Sequence, residues 1–313
     1  MTAPPPIRCT GLSRWYGEVQ GLSDLSLEVT PGIVGLLGPN GSGKTTLMRL
    51  LTGLIRPTRG RVELFGRRAG PGAWRLFRRI GYAPGDDVHF ELESGRDFLV
   101  LLARLHGESA SGARAAAERA LAAVGMTELA GKRLREMSKG MRQRIKVAQA
   151  LLHEPELLLL DEPLNGMDPL SRRQVMDLVR EHGRRGGTVL FASHILHEVE
   201  SITDRVILLH HGRLLAEGRL AEIRDLLDRK PRRVTLQGAS PEAVRRLAAA
   251  ALQSNLVSGL EFEGEDGLHL ATRRLGPLLD AIQTWGEQGD VRALTMADEN
   301  LEAVFDLLVG GEG

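Results

Sequence analysis

The chain lacks several things that would decide its class. It has one cysteine, Cys9, in 313 residues. That excludes an intramolecular disulfide framework and fits a reducing compartment. Aromatic residues are scarce at 4%, so leucine, valine and alanine must fill the core. A bias of charge is also missing, since 41 basic residues face 40 acidic ones. With a net charge of +1 there is no field to hold phosphates along a nucleic acid, so no nucleic-acid partner is expected. No apolar run reaches the roughly 18 to 20 residues that span a bilayer. The start, "MTAPPPIRCT", has three prolines in a row and no apolar core, so it reads as a loose terminus and not a signal peptide. If the protein works at a membrane, another chain must anchor it.

What is present is an alternation of strands and helices. "SDLSLEV" (Ser23 to Val29) alternates like a half-exposed strand, and "IVGLL" (Ile33 to Leu37) reads as a central one. "GRVELFG", "ELLLLDEP", "TVLFASH" and "RVILLHHG" add further strands, and "DPLSRRQVMDLVREHGRRGG" is a helix with Asp168 as N-cap and Pro169 at its first position. A stretch rich in alanine and leucine, about residues 86–140, reads as a helical insertion. This alternation implies an α/β fold with a mainly parallel sheet covered on both faces. After about residue 228 the order becomes strand, helix, strand, strand, helix, strand, helix. That suits a small ferredoxin-like α+β domain over residues 229–313, with the first domain over residues 1–228.

Three motifs carry chemistry. "GPNGSGKTT" supplies Gly38, Pro39, Asn40, Gly41, Ser42, Gly43, Lys44, Thr45 and Thr46 between an apolar strand and a helix. Its glycines let backbone amides turn inward around phosphates, Lys44 reaches the β- and γ-phosphates, and the Thr45 hydroxyl suits Mg²⁺. "LLLLDEP" delivers two carboxylates at a strand end, Asp161 for the metal and Glu162 to polarise an attacking water. "FASHILHEVE" puts His194 after a neighbouring strand, facing the same site, while His197 falls on a helix surface.

In order, the P-loop, the helical insertion, "MSKGM", "LLLLDEP", "NGMDP" and "SH" resemble the nucleotide-binding subunit of an ATP-binding cassette (ABC) transporter, over about Ile7 to Gly218. The resemblance implies a P-loop ATPase using Mg²⁺ and ATP, with Glu162 as general base and His194 as switch. It implies that Tyr16 stacks on adenine and that Asp168 is the D-loop aspartate. Ser138, Lys139, Gly140 and Met141 hold the signature position, which closes on the ATP of a second nucleotide-binding subunit in a homodimer. "SKGM" and "DENLEAVFDLLV" (Asp298 to Val309) narrow the resemblance to ATPases serving ABC-2 type export permeases. That implies a cytoplasmic subunit held at the inner face of the membrane by its permease.

The sequence departs from the family pattern at two places. Gly85 stands where the family has a glutamine that contacts Mg²⁺; Asp86 or Asp87 either replaces that ligand or caps the next turn. Lys139 and Met141 replace a glycine and a glutamine of the signature, and Lys139 either adds charge near phosphate or points to solvent. Two rival functions are a soluble ATPase acting on ribosomes or DNA and a non-hydrolysing regulatory module. One cassette without a basic bias argues against the first. Retention of Lys44, Asp161, Glu162 and His194 argues against the second.

Overall fold

The computed structural model describes residues 4–70, 72–86, 90–222, 232–287 and 289–296. The chain divides into two units, Met1–Leu220 and Ala221–Gly313. The boundary expected at 228/229 lies outside the described residues.

The first unit opens on a long hairpin, β1 (Ile7–Tyr16) and β2 (Val19–Val29). Ile7 is fully buried and pairs with Val29 on one side and Leu64 on the other. The reading of "MTAPPPIRCT" as a loose terminus is therefore corrected from Ile7 onward, because alternate residues of "IRCT" supply apolar side chains to one face of a sheet. Cys9 lies on this strand, and burial pushes its thiol pKa up to about 12. Next come β3 (Gly32–Leu37), α1 (Lys44–Leu51), β4 (Arg59–Leu64), β5 (Arg67–Arg68), the short α2 (Trp74–Phe77) and β6 (Ile80–Ala83). One antiparallel sheet runs β2-β1-β4-β5.

The helical insertion comprises α3 (Gly95–Leu105) and α4 (Ala110–Ala123), capped by Ser94 and Ser109. Ala113, Ala116, Ala117, Ala120 and Leu121 form the buried stripe of α4. Alanine at helical spacing lets neighbouring helices approach closely without aromatic filling. α5 (Lys139–Leu151) returns the chain to the sheet, followed by β7 (Leu157–Asp161), α6 (Pro169–Arg184), β8 (Thr188–Ser193), α7 (Leu196–Glu200), β9 (Arg205–His210) and β10 (Arg213–Arg219). The central sheet runs β10-β9-β3-β8-β7-β6. β6 to β9 are parallel and β10 is antiparallel. Every residue of β7 and β8 is buried, as continuous apolar runs demand in a sheet covered on both faces. The C-terminal ends of β3, β7 and β8 therefore come together on one edge.

The second unit comprises β11 (Arg232–Gly238), α8 (Pro241–Gln253), β12 (Gly259–Glu263), β13 (Gly267–Thr272), α9 (Leu275–Glu287) and β14 (Val291–Met296). Its antiparallel sheet runs β12-β13-β11-β14, the order of a ferredoxin-like fold. Val234, Leu236, Leu247, Leu268, Leu270 and Leu278 form its core. The expected final helix and the stretch Asp298 to Val309 lie outside the described residues.

Candidate active site

The P-loop joins β3 to α1. Gly43 has φ 104 and caps the helix, and an added Cβ there would lie 2.7 Å from the Gly21 carbonyl oxygen. A Cβ on Gly38 would lie 2.4 Å from the Leu209 carbonyl oxygen. Both positions exclude side chains, which is why the loop can fold with its amides inward. Ser42 is buried and its Oγ has no hydrogen-bond partner. Lys44 is 5% exposed, and its Nζ donates to the carbonyls of Gly38 (2.6 Å) and Pro39 (3.2 Å). Burial lowers its pKa, while Glu162 and Asp161 raise it.

β7 ends at Asp161, and Glu162 follows with φ 50. A glutamate in the left-handed region is strained, and the hydrogen bond that its backbone N–H donates to the Ala192 carbonyl (3.0 Å) helps to hold it there. The twist points its side chain to the P-loop. Glu162 Oε1 is 3.5 Å from Lys44 Nζ, and Oε2 is 2.8 Å from His194 Nδ1. The structure thus brings together Lys44, Glu162 and His194 from three neighbouring strand ends. His197 is exposed on α7.

Asp161 is fully buried, and neither carboxylate oxygen has a hydrogen-bond partner. Burial pushes its pKa up, and the Thr45 hydroxyl pulls the other way. A buried carboxylate with bonding capacity to spare, beside a threonine hydroxyl, fits a hard cation such as Mg²⁺, which binds one or two protein oxygens and fills its shell from phosphate and water. Asp86 is different. Its carboxylate is ion-paired with Arg49 of α1 and is exposed. The metal role considered for Asp86 competes with this ion pair, in which the guanidinium already holds the carboxylate. Asp87 lies outside the described residues. Gly85 abuts the Asp161 carboxylate, since an added Cβ would lie 3.4 Å from Asp161 Oδ2.

Ser138 is exposed and caps α5, its Oγ accepting from the Met141 amide (3.2 Å). Gly140 packs against the loop before α6, where a Cβ would lie 2.7 Å from the Gly166 carbonyl oxygen. The Lys139 stem packs on Gly166, and its Nζ donates to Asn165 Oδ1 (3.2 Å). The solvent reading of Lys139 is thus half right: the side chain is exposed but tethered. Asp168 caps α6 and accepts from the Ser171 amide and hydroxyl, which hold its carboxyl below the usual range. Tyr16 ends β1 about 39% exposed, with the Arg14 guanidinium 4.8 Å from its ring centre. A Cβ on Gly21 would meet both the Tyr16 ring and Thr46, so the ring stands beside the P-loop helix.

Sequence reading missed four contributors. Gln143 is buried and donates to the Glu162 carbonyl (3.1 Å). Lys146, Arg49 and Asn165 hold the turns on either side. Their signal is a polar residue where helix spacing calls for an apolar one, clear for Lys146 and Gln143 and absent for the other two.

The ABC transporter family model matches residues 22–165. The chain is 35% identical to the daunorubicin resistance ATP-binding protein DrrA3 of Streptomyces coeruleorubidus, over 90% of this chain and 95% of that one. It is 33% identical to the bacitracin transport ATP-binding protein BcrA of Bacillus licheniformis, over 97% of both. Among solved structures it resembles an ATP-binding subunit of an ABC transporter at 30% identity and TM-score 0.64, covering 72% of this chain and 93% of that one. With a P-loop, a paired carboxylate strand end and a histidine in reach of its glutamate, this chain belongs to the family of ABC transporter ATP-binding proteins.

Proposed function

We propose that the chain binds ATP with Mg²⁺ at the P-loop, hydrolyses it, and drives export through a separate membrane permease. The carrying observation is the placement of Glu162 between Lys44 and His194. Thr45 and Asp161 would hold Mg²⁺, which supplies charge stabilisation for the phosphate oxygens when bound. Without nucleotide, Lys44 Nζ is held by two loop carbonyls and Glu162. An incoming γ-phosphate is a stronger partner for the amine and releases Glu162 Oε1. That oxygen accepts the proton of a water attacking the γ-phosphorus, and the bond to the bridging oxygen breaks to leave ADP. His194 holds Oε2, so the carboxylate keeps its direction. Tyr16 offers a half-exposed face for the base.

Two copies pairing head to tail would set Ser138 and Gly140 of one against the ATP of the other. Ser138 is exposed at the start of α5, where the helix dipole favours an anion. The Asp168 loop would lie at the same junction. Export is supported by the relatives, named for bacitracin transport and for daunorubicin resistance. Among the described residues no helix is long and apolar enough to cross a membrane, which is consistent with a separate permease. The test is Glu162→Gln. Turnover is expected to fall about 10²- to 10⁴-fold while ATP binding by calorimetry persists. Turnover within about threefold of the native protein would remove Glu162 as the base.

A further inference from the structure

Lys146 is 1% exposed, in a chain that has five lysines. It lies on α5, the helix capped by Ser138. Its Nζ donates to the backbone carbonyls of Gly85 (3.1 Å) and Asp86 (2.9 Å). These residues form the turn that abuts Asp161.

This contact belongs to a stripe. Gln143 donates to the Glu162 carbonyl, Gln149 to the Tyr82 carbonyl (3.3 Å), and His153 Nε2 to the Ile80 carbonyl (3.0 Å). Residues 143, 146 and 149 fall on one face of α5, and His153 continues the row in the turn after it. Ile80 and Tyr82 sit on β6, the edge strand of the central sheet, so their carbonyls alternate along an edge that no strand covers. The Gln149 and His153 side chains stand in for the missing strand, which is a structural task. The backbones are also close, since a Cβ on Gly81 would lie 2.0 Å from the Ala150 carbonyl oxygen.

Lys146 does something else. It reaches beyond the end of β6 into the turn beside the Asp161 carboxylate. Burying an amine is costly, and its bonds to two backbone carbonyls at once offset that cost. On its far side the turn is gripped by Arg49 through Asp86. The Gly85–Asp86 turn is thus clamped between the P-loop helix and the signature helix, and its own residue at position 85 has no side chain to offer.

We propose that Lys146 is a positioning residue, which holds the Gly85–Asp86 turn against Asp161 and so sets the geometry of the Asp161–Glu162 pair from the signature helix. This rests on the ATPase reading above. Lys146→Met keeps the stem and removes the donor. The expected result is a fall in kcat of about tenfold or more with KM for ATP within about threefold, as misplacement of reacting groups predicts. Amide hydrogen exchange across residues 80–86 should quicken in the same variant. Lys146→Arg, which restores donors, should regain most of the lost kcat. A Lys146→Met enzyme with kcat within about twofold of native, or one with unchanged exchange across 80–86, overturns the proposal. If Lys146→Met shows no cooperative melt, Lys146→Leu, which also lacks a donor, carries the test on the same criteria. A native chain without Mg²⁺-dependent turnover would sink the ATPase reading instead. The exchange measurement needs no turnover and would still decide whether Lys146 holds the turn.

Discussion

The two units treat buried polar groups in opposite ways. In the second unit, Thr272 is fully buried, yet its hydroxyl donates to the Leu256 carbonyl and accepts from the Arg274 amide. Among the described residues of that unit, no buried side-chain polar atom is left without a partner. In the first unit, Ser42 Oγ, both Asp161 oxygens and Glu162 Oε1 are buried without a close hydrogen bond at the nucleotide end of the parallel sheet, and Arg14 Nε, Arg144 Nε, His153 Nδ1 and His182 Nε2 are so elsewhere. An unmade bond in a low-dielectric site costs about 1–3 kcal/mol. Half of these atoms lie where a charged ligand would pair with them, and none lies in the described ferredoxin-like sheet. The first unit keeps unpaired polar groups ready for a charged ligand at the end of its parallel sheet, and the described part of the second keeps none.

Substitutions can break or sharpen that contrast. Lys44→Ala should act most strongly, on binding and not on folding: ATP affinity by calorimetry should fall about 10²-fold or more, since a buried charge-assisted contact is lost. Leu236→Ala strikes the other unit, where it should cost about 2–5 kcal/mol in denaturant unfolding through cavity formation. Asp161→Asn should reverse the usual sign and raise the melting temperature of nucleotide-free protein while abolishing the stabilisation by Mg²⁺ and ATP. The pH dependence follows from its raised pKa. The folded state binds the proton more tightly than the unfolded state, so the carboxylate costs nothing below the ordinary value of 3.8. The cost grows as pH rises through the folded pKa and then stays. The gain from Asp161→Asn should therefore be present at neutral pH and vanish in acid. Gly85→Ala should do least, changing stability by less than about 0.5 kcal/mol, because its Cβ meets Asp161 at ordinary contact distance and its φ is not in the left-handed region.

Much of the site was legible because its chemistry is local in sequence. "GPNGSGKTT" carries its own loop geometry, and "LLLLDEP" carries both its burial and its carboxylates. His194 was placed correctly because one helix and one strand separate it from Glu162, which in a parallel sheet means the neighbouring strand end. The second unit was read from turn residues and periodicity, and its sheet order follows from that sequence of elements. Four strands escaped. β5 is two residues long and β6 four, β10 lies at an edge with mixed polarity, and the start of β1 was hidden by the prolines before it. The clamps on the Gly85–Asp86 turn were invisible for another reason. Arg49 with Asp86 and Lys146 with Gly85 join segments far apart in the chain, and a lysine on a helix reads as a solvent-facing residue until the sheet behind it is known. The same blindness hid the ion pair that competes for the Asp86 carboxylate.

Cys9 has a practical consequence. It is the sequence's only cysteine, it is 3% exposed on β1, and its thiol is held protonated well above neutral pH. Thiolate is the reactive form, so maleimides and iodoacetamides have almost nothing to attack in the folded protein. The native chain is therefore a ready background for site-directed labelling. A single cysteine placed at an exposed position away from the site, Ala115→Cys for instance, would carry a spin label or fluorophore without first removing a native cysteine. Distances between two such labels, read with and without ATP, would report directly on how two copies of this chain meet.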